Sequence, residues 1–351
     1  MMERPRWGIL GAGNICNDFA AGVVTAGGSI SAVGASSLSK AQALADKVKA
    51  SRAVGSYEEL VADPDVDVVY VGTIHTMHLP HARMALNAGK HVVCEKPLAV
   101  NEKEAQELVD LARAKGLFLM EAMWTRFFPV TRKVQEILAS GELGAPKSVQ
   151  ADFGFIGPME DKNHRLWDLN CAGGAMLDIG IYLVQLATMV FGASMPSVQS
   201  TALLTPEGVD HEGALSLCWS DKGSASLLFT LRATTPEHAV IMCEKGYIRL
   251  HGPAHTPERM TVFKSSGVRG KFEEQDFDFP LPQLRPGLTV IYPSSEGMMY
   301  QVLAAEKCLK EQKLECPEYP LEESLTVMRI MDAYRRQVGV TYPSESTCTV
   351  S

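Results

Sequence analysis

At 351 residues the chain is too long for one ordinary core and suits two domains of common size. Its 46% hydrophobic and 21% charged residues describe a globular chain, and 33 basic against 41 acidic residues give a net charge of −8, which argues against nucleic acid as a partner. No apolar stretch is expected to reach the roughly 20 residues that span a bilayer. Neither residues 1–7 nor residues 347–351 carry a targeting signal, so no membrane association and a cytoplasmic location are expected.

In chain order, the first third alternates two kinds of segment. Residues 6–10 (RWGIL), 29–35, 66–72 (VDVVYVG), 91–94 (HVVC) and 117–120 are short, apolar and rich in β-branched side chains. Helical patterns over 14–25, 39–49, 78–88 and 101–115 separate them, with Asn101 as N-cap of the last and Gly116 as its stop. Strands alternating with helices of this length imply βαβ units and a parallel sheet.

After about residue 150 the pattern changes to strands over 148–156, 197–205, 213–220, 224–233, 238–250 and 260–264. One buried helix over 173–192 (GGAMLDIGIYLVQLATMVFG) interrupts them, and an amphipathic tail helix over 321–336 is expected to pack across both domains. The fold expected is an α/β N-terminal Rossmann domain over 1–123 followed by an α+β domain over 124–351 with a large open antiparallel sheet. Eight cysteines, at 16, 94, 171, 218, 243, 308, 316 and 348, form no CxxC pair and read as reduced thiols, mostly buried, with no metal site.

Gly11-Ala12-Gly13-Asn14-Ile15-Cys16 follows the first strand and opens the first helix. The first glycine permits a tight turn, the second lets the backbone approach a pyrophosphate, and the unpaired N–H groups of the helix start meet the phosphate charge. NAD usually needs an acidic residue after the second strand, and residues 34–40 (GASSLSK) contain none. Ser36, Ser37 and Lys40 would instead hold a 2′-phosphate, which favours NADP(H); the competing reading has Ser39 capping the next helix and Lys40 solvated.

Glu95-Lys96-Pro97 emerges at the carboxyl end of the strand 91–94, where an open α/β sheet binds its ligands, and Pro97 restricts Lys96 to an extended backbone. In the apolar helix, Asp178, Tyr182 and Gln185 are spaced i, i+4, i+7 and share one face. A polar stripe on a buried helix reads as facing a cleft, the plainer account being a structural hydrogen bond.

These passages, with RWGI at 6–9, GSYEEL at 55–60, CEKP at 94–97, GLFLMEAMWTRFFP at 116–129 and GGAMLDIGIY at 173–182, resemble the glucose–fructose oxidoreductase/inositol dehydrogenase (Gfo/Idh/MocA) family. The likeness is closest to its dimeric dihydrodiol dehydrogenase and NADP-dependent D-xylose dehydrogenase branch. The resemblance spans nearly the whole chain and thins beyond about residue 205.

The resemblance implies an NADP(H)-dependent oxidoreductase acting on a carbinol or carbonyl of a sugar, polyol or cyclic trans-diol. Lys96 and Tyr182 would serve the proton transfer, and Asp178 would orient the substrate hydroxyl or tune the other two. A lysine beside a cationic nicotinamide has its ammonium form disfavoured, which suits this role. Trp124, Arg126 and Phe153 would line the substrate side as an aromatic wall; His75 and His78 would lie near the cofactor edge or merely start a helix. The small-molecule substrate would be the main partner. A homodimer is expected through an apolar open face of the second sheet.

Where the resembling proteins carry further aromatic residues and an acid, this sequence has His255, Tyr292 and Pro293, and Tyr300-Gln301 stands where Tyr-Glu is common. The alternatives are a non-catalytic NADP(H)-binding sensor on the same fold and a reductase of an unusual carbonyl or imine. Retention of Lys96, Asp178 and Tyr182 together favours the enzyme.

Overall fold

The structure, a computed structural model, describes residues 4–346. Residues 1–3 and 347–351, with Cys348, the first three of residues 1–7 and the whole C-terminal stretch read above for targeting signals, lie outside the described residues. The chain forms two units. Unit 1 takes the residues up to Ala99, Lys103–Phe127 and Leu281–Leu321; unit 2 takes Val100–Glu102, Phe128–Pro280 and the residues from Glu322 onward.

Unit 1 alternates strand and helix: β1 (Arg6–Leu10), α1 (Asn14–Thr25), β2 (Ser29–Gly34), α2 (Leu38–Val48), β3 (Arg52–Val54), α3 (Tyr57–Ala62), β4 (Val68–Val71), α4 (His78–Asn87), β5 (His91–Glu95), α5 (Glu102–Lys115) and β6 (Leu119–Ala122). The six strands form one parallel sheet in the order β3-β2-β1-β4-β5-β6. All four residues of β4 (VVYV) are buried, as a sheet covered on both faces requires. The order reverses between β1 and β4, and a ligand crevice forms beyond the carboxyl ends of strands at such a switch point. A helix over Met298–Lys310 lies along α1, and Gly22 is the residue that admits it: a Cβ there would stand 3.2 Å from Met299 N.

Unit 2 opens with α6 (Pro129–Ser140) and β7 (Pro146–Gly154). A π-helical turn, Met176–Gly180, runs into α7 (Ile181–Phe191). Then follow β8 (Ser197–Leu204), β9 (Asp210–Trp219), β10 (Gly223–Thr230), β11 (Ala239–Cys243), β12 (Gly246–Leu250), β13 (Arg259–Ser265) and β14 (Phe272–Asp278). The eight strands form one sheet in the order β14-β13-β12-β11-β7-β10-β9-β8. It is mostly antiparallel, as expected, with one parallel pair, β10 beside β7. The stretch expected as one strand over 238–250 folds back as β11 and β12 around Glu244-Lys245.

One expectation is corrected here. The run Leu169–Phe191 is long and apolar enough to cross a bilayer, with a mean hydropathy of 1.6, but 83% of that window is buried inside the protein, as in a core helix. The open face of the second sheet is mixed: Gln199, Ser216, Ser226 and Gln150 stand in register across four strands, and Leu203, Leu228, Val240 and Met242 share that face. All seven described cysteines are free; four are buried, Cys171 and Cys243 are half-buried, and Cys218 is exposed.

Candidate active site

In unit 1, β1 leads into the glycine turn. Gly11 has φ +119°, a region that disfavours any side chain, and a Cβ there would lie 2.8 Å from Cys16 Sγ and 3.0 Å from Gly72 O. Gly13 is the N-cap of α1, makes no side-chain cap bond, and a Cβ on it would meet nothing within 4 Å. The first turn of α1, which Asn14 and Ile15 begin, carries no acidic residue. Open space before an uncapped, acid-free helix start fits the diphosphate of a dinucleotide. Cys16 fills the place of the usual third glycine: its buried thiol points to Gly72 O at 3.1 Å, and burial pushes its pKa up to about 12, so it stays a neutral donor.

Beyond β2, Ser36 and Lys40 are exposed and Ser37 is half-buried. The helix cap is Ser37, not Ser39; the two hydroxyls lie 3.3 Å apart and neither caps the helix through its side chain. The segment presents hydroxyls and an ammonium at the start of α2 and no carboxylate.

Lys96 is the only residue between Val92 and Val100 that is not buried. Three anchors hold its surroundings. Tyr70 donates its O–H to Glu95 Oε1 at 2.7 Å, His78 Nδ1 lies 2.7 Å from Pro97 O, and Leu98 N donates to Glu121 Oε1 at 2.9 Å. The Lys96–Pro97 peptide is cis. Burial pushes the Glu95 carboxyl up to about 7 against the opposing pull of the Tyr70 bond and Lys96.

His78 starts α4 and is fully buried, with Nε2 3.0 Å from Thr73 O. Burial pushes its imidazole down to about 4, and a neutral ring donates to one of the two carbonyls at a time. The ring thus braces the Lys96–Pro97 turn from inside the unit. His75 is also buried, its ring 5.8 Å from that of His78. Trp124 and Arg126 sit on the 3-10 turn Trp124–Phe127 and are buried. Arg126 Nη2 donates to Glu318 O at 3.0 Å and its guanidinium lies 4.9 Å from the centre of the Tyr319 ring, so this side chain ties together two segments of unit 1.

In unit 2 the Gly173-Gly174 turn is held by buried groups distant in sequence. Asp210 Oδ2 accepts Met176 N–H at 2.8 Å and the Tyr334 O–H at 3.2 Å, while Tyr342 donates to Gly173 O at 3.0 Å. Burial pushes the Asp210 carboxyl up to about 7. The π turn this anchors carries Asp178, whose Oδ1 meets Arg165 Nη2 at 2.9 Å.

One helical turn on, the Tyr182 ring lies 5.8 Å from Phe153 and 5.3 Å from His255. His255 stacks on Phe153 at 4.1 Å and 15°, and its Nδ1 is 3.4 Å from Glu237 Oε2. Within this unit the structure therefore brings Tyr182 and Phe153 together and adds His255 and Glu237. Sequence reasoning missed Tyr70, Glu121, Arg165, Asp210 and Glu237; each is a polar residue whose partner is set by tertiary packing, without a local motif.

Residues 5–123 match the family described as an oxidoreductase family with an NAD-binding Rossmann fold, and residues 131–249 match the GFO/IDH/MocA C-terminal domain. The chain is 39% identical over 342 residues to a trans-1,2-dihydrobenzene-1,2-diol dehydrogenase of Xenopus tropicalis, covering 96% of this chain and 99% of that one. Its fold is similar to a levoglucosan dehydrogenase in complex with NADH and levoglucosan, with a TM-score of 0.82 at 18% identity over 95% of this chain and 97% of that one. It is also similar to a 3-ketoreductase from Actinomadura kijaniata in complex with NADP, with a TM-score of 0.78 at 23% identity over 96% and 98% of the two chains.

Proposed function

The chain belongs to the Gfo/Idh/MocA oxidoreductase family, and from that premise we propose that it is an NADP(H)-linked dehydrogenase of a sugar, polyol or cyclic trans-diol. The observation that carries this reading is Lys96. It is the one side chain between Val92 and Val100 that is not buried, at the carboxyl edge of the dinucleotide-binding sheet, braced by Tyr70–Glu95, His78–Pro97 and Glu121–Leu98. Such bracing suits a group that must meet a reacting atom within a few tenths of an ångström.

When bound, the nicotinamide supplies the hydride chemistry. Lys96 and Tyr182 move the proton at the carbinol oxygen, and Asp178, paired with Arg165, orients the neighbouring hydroxyl. Gly11, Gly13, Asn14 and Ile15 hold the diphosphate. The absence of a carboxylate beyond β2, with Ser36, Ser37 and Lys40 in its place, supports NADP over NAD. The open sheet face carries Leu203, Leu228, Val240 and Met242 among its polar side chains, apolar surface that a second copy would cover, so the protein is a homodimer in this reading.

The test is turnover with NADP⁺ or NAD⁺ on a panel of aldoses, inositols and cyclic trans-diols, with Lys96→Met as control. Turnover with NADP⁺ that Lys96→Met abolishes supports the proposal. Turnover that survives the substitution, or that occurs with NAD⁺ alone, contradicts it.

A further inference from the structure

Beside Tyr182, unit 2 has a recess whose lining is half apolar, Phe153 with leucines and alanines, and whose other polar side chains are Asp152, Gln185, Glu237 and His255. Each of these four has a defined state. Asp152 is committed to the backbone: its two oxygens accept Glu237 N–H at 2.8 Å and His238 N–H at 3.3 Å. His255 covers the Phe153 ring at 4.1 Å in near-parallel stacking and turns Nδ1 to Glu237. One face of the Phe153 ring is thereby covered by imidazole.

Gln185 is 1% exposed, and its Nε2 donates to Tyr182 O at 3.0 Å. A carbonyl only accepts, so this bond sets the orientation of the amide. Its Oε1 is thereby left buried without a donor. A buried acceptor without a donor is unfavourable, and a ligand hydroxyl placed there satisfies it where an apolar ring edge does not. The recess admits one water-sized group, the size of a single hydroxyl.

We propose that Gln185 and His255 determine specificity, the recess between them receiving one hydroxyl of a polyhydroxylated, non-aromatic substrate. This deepens the dehydrogenase reading and rests on it. A bare diol or an aromatic diol spends its two hydroxyls at the reacting carbon and its neighbour and has none left for the Gln185 acceptor. A sugar or inositol ring has further hydroxyls to donate.

The experiment is calorimetric titration of the protein loaded with reduced nicotinamide cofactor, in which carbinols bind without turnover. The ligands are a panel of inositols and aldopyranoses set against trans-cyclohexane-1,2-diol, which shares the ring but lacks the added hydroxyls. The best-bound polyol is expected to bind at least about tenfold tighter than the diol, and Gln185→Leu to bring the two within about threefold. His255→Phe, which keeps the stack on Phe153, is expected to lose preference in the same direction and serves if Gln185→Leu fails to fold.

Equal binding of polyol and diol by the wild type overturns the proposal. So does a preference untouched by both substitutions, for then the recess holds only a water. Turnover with oxidised cofactor is followed in parallel. A preserved binding preference with no turnover on any carbinol supports the recess and sinks the dehydrogenase reading, whereas turnover with equal binding does the reverse.

Discussion

Tyr70 donates its phenolic O–H to Glu95 Oε1 at 2.7 Å, one residue before Lys96, while its ring stacks on Phe19 at 3.6 Å. Tyr70→Phe keeps the stack and removes the donor, which pushes the Glu95 carboxyl further up. Burial already holds that carboxyl at about 7 against an ordinary 4.5, so the folded chain binds the proton more tightly than the unfolded chain. The stability this group contributes is present at low pH and declines as pH rises from 4.5 through about 7. Tyr70→Phe is expected to cost about 1–3 kcal/mol at pH 8 and less at pH 5, read by urea unfolding at the two pH values. An equal cost at both contradicts the account of Glu95.

Asp210 anchors the π turn that carries Asp178 and leads to Tyr182. Asp210→Ala leaves Met176 N–H and the Tyr334 O–H without their acceptor and is expected to cost about 2–4 kcal/mol, where Tyr334→Phe costs about 1 kcal/mol. Thermal unfolding gives the stability. A fall in kcat in Tyr334→Phe larger than its stability loss explains would show that the anchor also sets the placement of Tyr182.

The two glycines of the cradle fail in different ways. Gly11→Ala forces a side chain to φ +119° and against Cys16 and Gly72, so it destabilises the fold by about 1–3 kcal/mol. Gly13→Ala meets no neighbour and leaves stability within about 0.5 kcal/mol, yet fills the space offered to the diphosphate. Cofactor affinity, followed by fluorescence quenching, is expected to fall at least about tenfold in Gly13→Ala. Unchanged affinity would place the diphosphate elsewhere.

The cofactor preference rests on the exposed residues after β2. Ser36→Asp introduces a carboxylate to which a ribose hydroxyl donates and which repels a 2′-phosphate. NADPH affinity is expected to fall about tenfold or more and NADH affinity to rise, with Lys40→Ala lowering NADPH affinity alone. Titration of all four combinations decides it; a parallel change for both cofactors contradicts the assignment.

Much of unit 1 was legible because its signals are local. Apolar runs between helical periods mark a parallel sheet, and the glycines at 11 and 13 and the Glu95-Lys96-Pro97 turn follow their strands directly in sequence. β3 and α3 were missed because three residues of strand and six of helix are too short to show a period. β14 (FEEQDFD) is an exposed, highly charged edge strand, the composition that keeps an edge from pairing further and that reads as a loop in sequence.

The return of Leu281–Leu321 to unit 1 had no local mark at all, since what places the helix Met298–Lys310 there is its packing along α1. In the site, Asp178 and Tyr182 stood out as polar residues on an apolar helix. Their supports did not: Arg165 and Asp178 are 13 residues apart, and Tyr334 and Asp210 are 124.

The central claim is hydride transfer between a carbinol and a nicotinamide. Its most direct test follows deuterium from a polyol labelled at the reacting carbon into the nicotinamide ring by proton NMR, in the wild type and in Lys96→Met. Stoichiometric label at nicotinamide C4 in the wild type and none in Lys96→Met, with cofactor affinity retained, is the expected result. Cofactor binding without label transfer from any polyol or diol, or transfer that persists in Lys96→Met, would contradict it.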